Sequence, residues 1–203
     1  MYEPKSTKGN LTKQRILHIA RSLFYRQGYD CTSTAQIAKQ ADISEAAMYK
    51  YFKNKHDLLL ATVQPSVLFN RTKEELISLP NDELIQLWTS DLLEKIFANR
   101  PQFTILFTEA VRHPELSEQY TTSLYELTHG DHEILRRMKQ GRIMEIDLKL
   151  LQVGIIGATL SMVQHTFIYK PETEFTHVPE HIKKNIFQLI QGELLKKEQE
   201  KLQ

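Results

Sequence analysis

Apolar residues recur with a helical period along most of the chain, and no stretch alternates apolar and polar residues convincingly, as a strand would. In residues 11–27, the apolar positions of one helical face are Ile16, Ile19, Ala20, Leu23 and Phe24. Thr12 is suited to cap the start of this helix, and Gly28 is suited to end it. The pattern predicts an all-α fold.

Two short helices are predicted next, with a polar break between them. Ser33 and Gln36 have the spacing of a capping box at the start of the first of these helices. Asp42, Ile43 and Ser44 interrupt the apolar pattern, and Ser44 can cap a third helix over residues 45–52. The sequence therefore predicts two short helices joined by a tight turn.

A fourth helix is predicted from Asn54 or Lys55, and longer amphipathic helices follow it. Pro101 and Pro114 suit the first turns of two of them, because proline is tolerated at that position. In residues 82–99 the apolar stripe consists of Leu84, Ile85, Trp88, Leu92 and Ile96. Residues 148–169 and 180–195 form the last two helices, and the stripe of the second consists of Ile182, Ile186, Leu189, Ile190 and Leu194.

The composition, with 41% apolar and 25% charged residues in 203, is typical of a globular protein that can bury a core. The single cysteine, Cys31, excludes an internal disulfide and fits a reducing compartment. Because the first residues lack the apolar run of a signal peptide, we expect a cytoplasmic protein. Residues 150–169 carry no formal charge, but Gln152, Gln164 and His165 favour a buried helix over a membrane span.

The net charge of +1 conceals an asymmetry between the two parts of the chain. Residues 1–60 carry ten Lys or Arg and five Asp or Glu, whereas residues 61–203 carry sixteen and twenty. The basic part also contains a dense aromatic and basic cluster, Tyr49 to Lys55. Positive charge gathered in this way is what an anionic partner such as DNA requires.

Two short helices with a tight turn and a basic surrounding are typical of a helix-turn-helix. Residues predicted to face the shared core are Ile37, Ala41, Ile43 and Met48. Residues predicted to face outward are Glu45, Ala46, Ala47, Tyr49 and Lys50, and the small ones among them would let the helix enter a major groove. The alternative is an ordinary helical hairpin with a basic exposed face.

Four sequence markers occur in order: A-x-x-L-F in the first helix, Gly28-Tyr29, T-S-x-x-x-I-A, and M-Y-x-Y-F-x-N-K-x-x-L-L. With these markers, residues 12–60 resemble the DNA-binding module of TetR-family transcriptional regulators, while the rest resembles the family only in length and helical content. The resemblance implies a helix-turn-helix domain over residues 1–56 and a helical effector-binding and dimerisation domain over residues 57–203.

The resemblance also implies a set of DNA contacts. Hydroxyls and backbone N–H groups of Ser33 and Thr34 would meet phosphate, as would Tyr49, Tyr51 and Lys55. The recognition helix would meet base edges and backbone with Ser44, Ala46 and Ala47, and Lys50 would reach a phosphate or a base.

Two residues depart from what the family leads us to expect. Glu45 is acidic in a helix aimed at DNA, and it would either cap its own helix or accept a hydrogen bond from a cytosine N4 amine. Asp42 stands where the family has glycine at a positive φ, a conformation that Asp tolerates better than most residues do.

The last two helices are candidates for a homodimer interface, because two half-sites require a two-fold dimer. Small residues share one face there: Gly154, Gly157, Ala158 and Ser161. The alternative is that this face packs within the chain. Aromatic and histidine side chains that could line an effector pocket are Trp88, Phe103, Phe107, Tyr120, Tyr125 and His165, and none is assigned that role.

The segment HGDHE at residues 129–133 matches no standard zinc spacing, so we expect a solvated helix face, no metal site and no cofactor. No catalytic motif appears, which argues against an enzyme. We expect a repressor that binds a palindromic operator as a homodimer and is released by a small molecule. The alternative is an adaptor of the same fold that binds a protein partner and uses DNA only as a scaffold.

Overall fold

The computed structural model describes residues 8–64, 71–118, 128–169 and 177–194, and this part of the chain contains helices and no strand. The helices are α1 (Lys8–Gln27), α2 (Thr34–Gln40), α3 (Glu45–Met48), α4 (Lys55–Thr62), α5 (Lys73–Ile77), α6 (Asn81–Ala98), α7 (Arg100–Glu109), α8 (His129–Lys139), α9 (Leu148–Tyr169) and α10 (Glu180–Leu194). Residues 114–118 are also helical, which agrees with the helix predicted at Pro114. The all-α prediction is confirmed.

The chain divides into two compact units. The first unit consists of Met1–Pro65 and Pro101–Ser123, and the second of Ser66–Arg100 and Leu124–Gln203. The division into independent domains at residues 1–56 and 57–203 stays a prediction. None of the described helices is both long enough and apolar enough to cross a membrane.

In the first unit, α1 packs against α2 and α4, and α2 packs against α3. Ile16 and Ala20 on α1 are fully buried, which confirms the predicted face. Gly28 ends the helix at φ 84°, as predicted. Thr12 is not the cap: it lies inside α1, and its hydroxyl donates to the carbonyl of Lys8. Arg21 ties the far end of α4 to α1, because its Nε donates to the carbonyl of Thr62 at 2.9 Å.

In the second unit, α6 buries its predicted stripe, and Trp88 makes the polar contact that a buried indole needs. Its Nε1–H donates to the Asp131 carboxylate at 2.7 Å. Asp131 also accepts from the side-chain amide of Gln152 on α9 and from the backbone N–H of Thr128, the residue that caps α8. The expectation of a solvated face at residues 129–133 is therefore wrong for Asp131, which is 3% exposed.

A second buried polar contact joins α5, α6 and α8. Arg137 is fully buried and donates to Glu133, to Asn81 and to the carbonyl of Leu76. The hydrogen bond from Arg136 and the one from Arg137 lower the pKa of Glu133 to about 2, against an opposing effect of burial. Glu133 is therefore also buried, and its charge is neutralised by the ion pair with Arg137 on the same helix.

The predicted burial of residues 150–169 is only half correct. One face of α9 is buried, with Ile156 fully so, but Leu150 is 69% exposed on the opposite face. On α10, four members of the predicted stripe are buried, whereas Leu189 is 62% exposed. Together α9 and α10 border an apolar groove of about 480 Å³ that includes Leu150 and Leu189.

Candidate nucleic-acid interface

Serine hydroxyls fix the starts of α2 and α3. Ser33 Oγ accepts from the backbone N–H of Gln36, and Ser44 Oγ accepts from that of Ala47, both at 3.1 Å. Only half of the predicted capping box forms, because the Gln36 side chain pairs with Gln27 instead of returning to the cap. As each serine accepts through oxygen, its hydroxyl proton stays available to an outside acceptor such as a phosphate.

The turn between α2 and α3 has a left-handed residue at the predicted position. Asp42 has φ 52°, the only positive φ of a non-glycine residue in the described chain. The backbone N–H of Ile43 then donates to the carbonyl of Ala38 at 3.1 Å, which closes the turn after α2. A left-handed residue reverses the chain within three positions, so α3 can pack back on α2.

The core beneath the two helices consists of Ile37, Ala41, Met48 and Phe52, each at most 3% exposed. Ile43, predicted to join them, is only half-buried at the edge of the turn. Since α3 ends at Met48, four residues earlier than predicted, Phe52 reaches the core from the turn that follows.

On the other side, the predicted outward residues face solvent. Glu45, Ala46 and Lys50 are exposed, Tyr49 is 45% exposed, and Ala47 is half-exposed. A helix that presents two alanines offers backbone and small methyl groups to an approaching duplex. The orientation predicted for α3 is confirmed, and the DNA contacts assigned to its residues stay predictions.

Three of the predicted contact residues form one hydrogen-bonded cluster. The Thr34 hydroxyl donates to Glu45 Oε1 in a short hydrogen bond. The Tyr49 hydroxyl lies 3.4 Å from Thr34 Oγ1 and 3.5 Å from Glu45 Oε1. Glu45 therefore joins α2 to α3 through the two hydroxyls, a role that neither predicted alternative for Glu45 included.

Lys55 is held by an aromatic ring. Its ammonium lies 4.1 Å from the centroid of the Tyr29 ring, a cation–π contact. Burial, followed by the carboxylates of Asp30, Glu109 and Glu115, raises the pKa of Tyr29, so its ring stays neutral. Lys55 and Tyr51, both predicted phosphate contacts, are half-buried, so each side chain is only partly accessible to DNA.

Sequence reasoning missed a glutamine that holds the start of α2. The two N–H groups of Gln27 Nε2 are shared among three acceptors, the carbonyl of Cys31 at 2.9 Å, Thr32 Oγ1 at 3.1 Å and Gln36 Oε1 at 3.1 Å. These contacts link the end of α1 to the loop and helix that carry Ser33 and Thr34. The only local signal was the polar residue immediately before Gly28, which a helix end explains equally well.

The sequence of this site matches a known family. Residues 16–62 match the sequence profile described as "Bacterial regulatory proteins, tetR family". The chain is 25% identical over 178 residues to the nucleoid occlusion factor SlmA of Mannheimia succiniciproducens, covering 82% of this chain and 79% of that protein. It is 24% identical over 165 residues to YerO of Bacillus subtilis, an uncharacterized HTH-type transcriptional regulator, covering 76% of this chain and 56% of YerO.

A solved structure shares the fold. GusR of Salmonella enterica superposes with a TM-score of 0.62 at 19% identity, covering 95% of this chain and 100% of that one. At this level of identity the likeness concerns the fold, which agrees with the predicted class. The profile match, in contrast, spans α2, α3 and α4, the helices that carry the candidate interface.

Proposed function

Because the chain is a member of the TetR family of transcriptional regulators, we propose that it is a cytoplasmic repressor that binds a palindromic operator as a homodimer. The observation that carries this proposal is the outward face of α3. Ala46 and Lys50 are exposed on that face, and Met48 and Phe52 are buried in the core beneath it. That arrangement supports insertion of α3 into a major groove, with hydroxyls and lysines around it for the phosphates.

Hydroxyl groups of Thr34 and Tyr49 would change partners on binding. In the free protein they are hydrogen-bonded to one another and to Glu45. A phosphate oxygen can accept a hydrogen bond from the Tyr49 hydroxyl while the Thr34 hydroxyl keeps its hydrogen bond to Glu45. The carboxylate of Glu45 would then orient α2 and α3 and also repel phosphates that approach in the wrong register.

The exposed face of α9 supports a homodimer. Cβ atoms added at Gly154 and Gly157 would meet nothing within 4 Å, so this face does not pack within the described chain. Small residues beside the exposed Leu150 and Leu189 would let a second copy approach closely and bury apolar surface. We propose a four-helix interface made by α9 and α10 of the two copies.

We propose that a small-molecule effector binds first at a cavity of about 40 Å³ in the second unit. It lies beside Trp88, Lys95 and Asp131. Burial lowers the pKa of Lys95, and the Asp131 carboxylate opposes that shift. Since one water takes about 30 Å³ of liquid volume, a larger effector must widen the cavity. Such movement would release DNA by changing the separation of the two α3 helices, because both half-sites are needed for tight binding.

The test is a titration of the full-length protein against fluorescently labelled DNA from the region upstream of its gene. We expect one inverted repeat to bind at least ~1,000-fold more tightly than the same bases in scrambled order. A duplex that carries one half of the repeat should bind much more weakly, since one copy of α3 then has no site. Equal affinity for the repeat and the scrambled duplex would contradict the proposal.

A second candidate is the DNA-scaffolded adaptor that binds a protein partner without regulating genes. One observation favours it: a relative similar over 82% of this chain is named a nucleoid occlusion factor and not a transcriptional regulator. Transcription from the DNA that the protein binds separates the two candidates. A repressor lowers transcription of the flanking gene, whereas a scaffolded adaptor binds without changing it.

A further inference from the structure

Two histidines and a glutamate converge in the first unit, at a place that the proposed DNA contacts do not use. His56 Nε2 lies 2.9 Å from Glu115 Oε1, and His113 Nδ1 lies 3.5 Å from the same oxygen. One ligand atom from each of the three side chains falls within 4.8 Å of the other two. We propose that His56, His113 and Glu115 bind a divalent transition metal ion of the zinc class.

The spacing of the three atoms suits such an ion. Zinc binds nitrogen and oxygen at about 2.0–2.2 Å, so neighbouring ligand atoms in a tetrahedral site lie about 3.4 Å apart. Both nitrogen–oxygen distances in the structure lie within about 0.5 Å of that value. Small rotations of the half-exposed His56 and Glu115 side chains toward His113 are enough to form the site, with water in the fourth position.

The chemistry of the ligands selects the class of metal. Imidazole nitrogen favours zinc, copper, nickel and iron, whereas magnesium and calcium prefer sites made only of oxygen. Each imidazole would bind through the nitrogen that now faces Glu115, which puts the remaining proton on His56 Nδ1 and on His113 Nε2.

The surroundings restrict the ligands and add negative charge. The ring of His113 packs edge-on against Tyr29 at 5.0 Å, which limits its rotation. Glu109 lies one turn before His113 and is 5% exposed, and its Oε2 has no hydrogen-bond partner among the described residues. Its Oε1 accepts from the backbone N–H of Tyr29 at 3.4 Å, so only Oε2 lacks a donor, and a buried carboxylate oxygen without a donor favours a cation nearby.

An ordinary ion pair explains the cluster less well. Glu115 and His56 are 44% and 37% exposed, and exposed pairs contribute little to stability. A single pair also gives no reason for a second imidazole to face the same carboxylate oxygen. A metal ion would explain why both nitrogens do so, and it would fix the start of α4 to residues 113–115 within the same unit.

The test is a competition titration of metal-free, full-length protein with Zn²⁺ against a chromophoric chelator, followed by Co²⁺ absorption spectra. We expect one ion per chain, a visible Co²⁺ spectrum of nitrogen and oxygen ligands, and no competition from Mg²⁺. His56→Gln and Glu115→Gln should each weaken binding about 10-fold or more. His18→Gln, which changes an exposed histidine on α1, should bind as the wild type does.

Circular dichroism of each variant establishes that it is folded, and neither substitution touches the core. The proposal is overturned if His56→Gln and His18→Gln bind Zn²⁺ equally well, or if the wild type takes up no stoichiometric ion. Because the readout is metal binding, it does not depend on whether the protein is a repressor.

Discussion

Replacing Lys55 with glutamine tests whether this side chain reaches the DNA backbone or serves only the fold. The ammonium lies 4.1 Å from the centroid of the Tyr29 ring, so the lysine already has one partner in the free protein. If it also contacts one phosphate, the proposed homodimer would lose two phosphate contacts when both copies carry Lys55→Gln.

The magnitude follows from counterion release. Each phosphate contact contributes about 0.9 to the slope of log K against log salt concentration, so two lost contacts lower that slope by about 1.8. If the variant and the wild type bind equally at 1 M salt, the affinity of the variant should be about 60-fold lower near 0.1 M salt and only about 9-fold lower near 0.3 M salt. Loss of the cation–π contact costs the fold about 1–2 kcal/mol, which leaves the protein folded.

The assay is fluorescence anisotropy on the operator duplex at four or more salt concentrations. Lys139→Gln is the matched control, because it removes the same charge from an exposed position on α8 in the second unit. We expect the control to keep the wild-type slope. If Lys55→Gln keeps that slope too, Lys55 contacts only Tyr29 and its assignment to the DNA interface is wrong.

Three further predictions concern the dimer, the turn and acid stability. Gly157→Glu should convert the dimer to a monomer in light scattering without loss of helix, whereas Gly9→Glu, at another open glycine, should leave a dimer; a dimer in both would exclude the α9 interface. At φ 52°, Asp42→Gly should retain or raise thermal stability while Asp42→Ala costs about 1 kcal/mol, and equal melting temperatures would contradict the strain argument. The pKa of Glu133 is lowered from 4.5 to about 2, so its contribution is present above pH 4.5 and lost as pH falls toward 2. Glu133→Gln should therefore cost about 3 kcal/mol in urea unfolding at neutral pH and flatten the loss of stability between these two values, and an unchanged acid profile would count against it.

Much of the first unit could be predicted because its signals are local. Ser33, Ser44 and Asn54 each cap a helix through a hydrogen bond to a backbone three residues on, which a sequence motif records directly. The positive φ of Asp42 could also be anticipated, since the family resemblance indicated which residue carries the turn. These features need no knowledge of how distant parts of the chain meet.

The burial predictions that were wrong concern residues whose exposure depends on contacts with distant parts of the chain. Asp131 is buried by Trp88, which precedes it by 43 residues, so periodicity on its own helix could not place it. Leu189 matches the apolar stripe of α10 but stays exposed, since the stripe is wider than the surface that α6 and α9 cover in one chain.

In the candidate site too, local features could be predicted from the sequence, whereas contacts between helices could not. Outward and inward positions of α3 follow from its period, but the bond from Thr34 to Glu45 depends on how two helices approach. The separation of His56 from His113 along the chain is likewise too long for a motif, and only the packing of α4 near residues 113–115 brings them together. Spacing rules find metal sites within one segment and miss those assembled from two.

The central claim is that α3 and its symmetry mate lie in successive major grooves, and directed cleavage tests it most directly. With Cys31→Ser removing the exposed native thiol, Ala46→Cys places a single thiol on the outward face of α3 for attachment of an iron chelate. We predict two symmetric cleavage centres on the operator, about 34 Å or a multiple of that apart, and none when the chelate is attached at Lys139→Cys. Cleavage at one place only, or the same pattern from both attachment points, would contradict the claim.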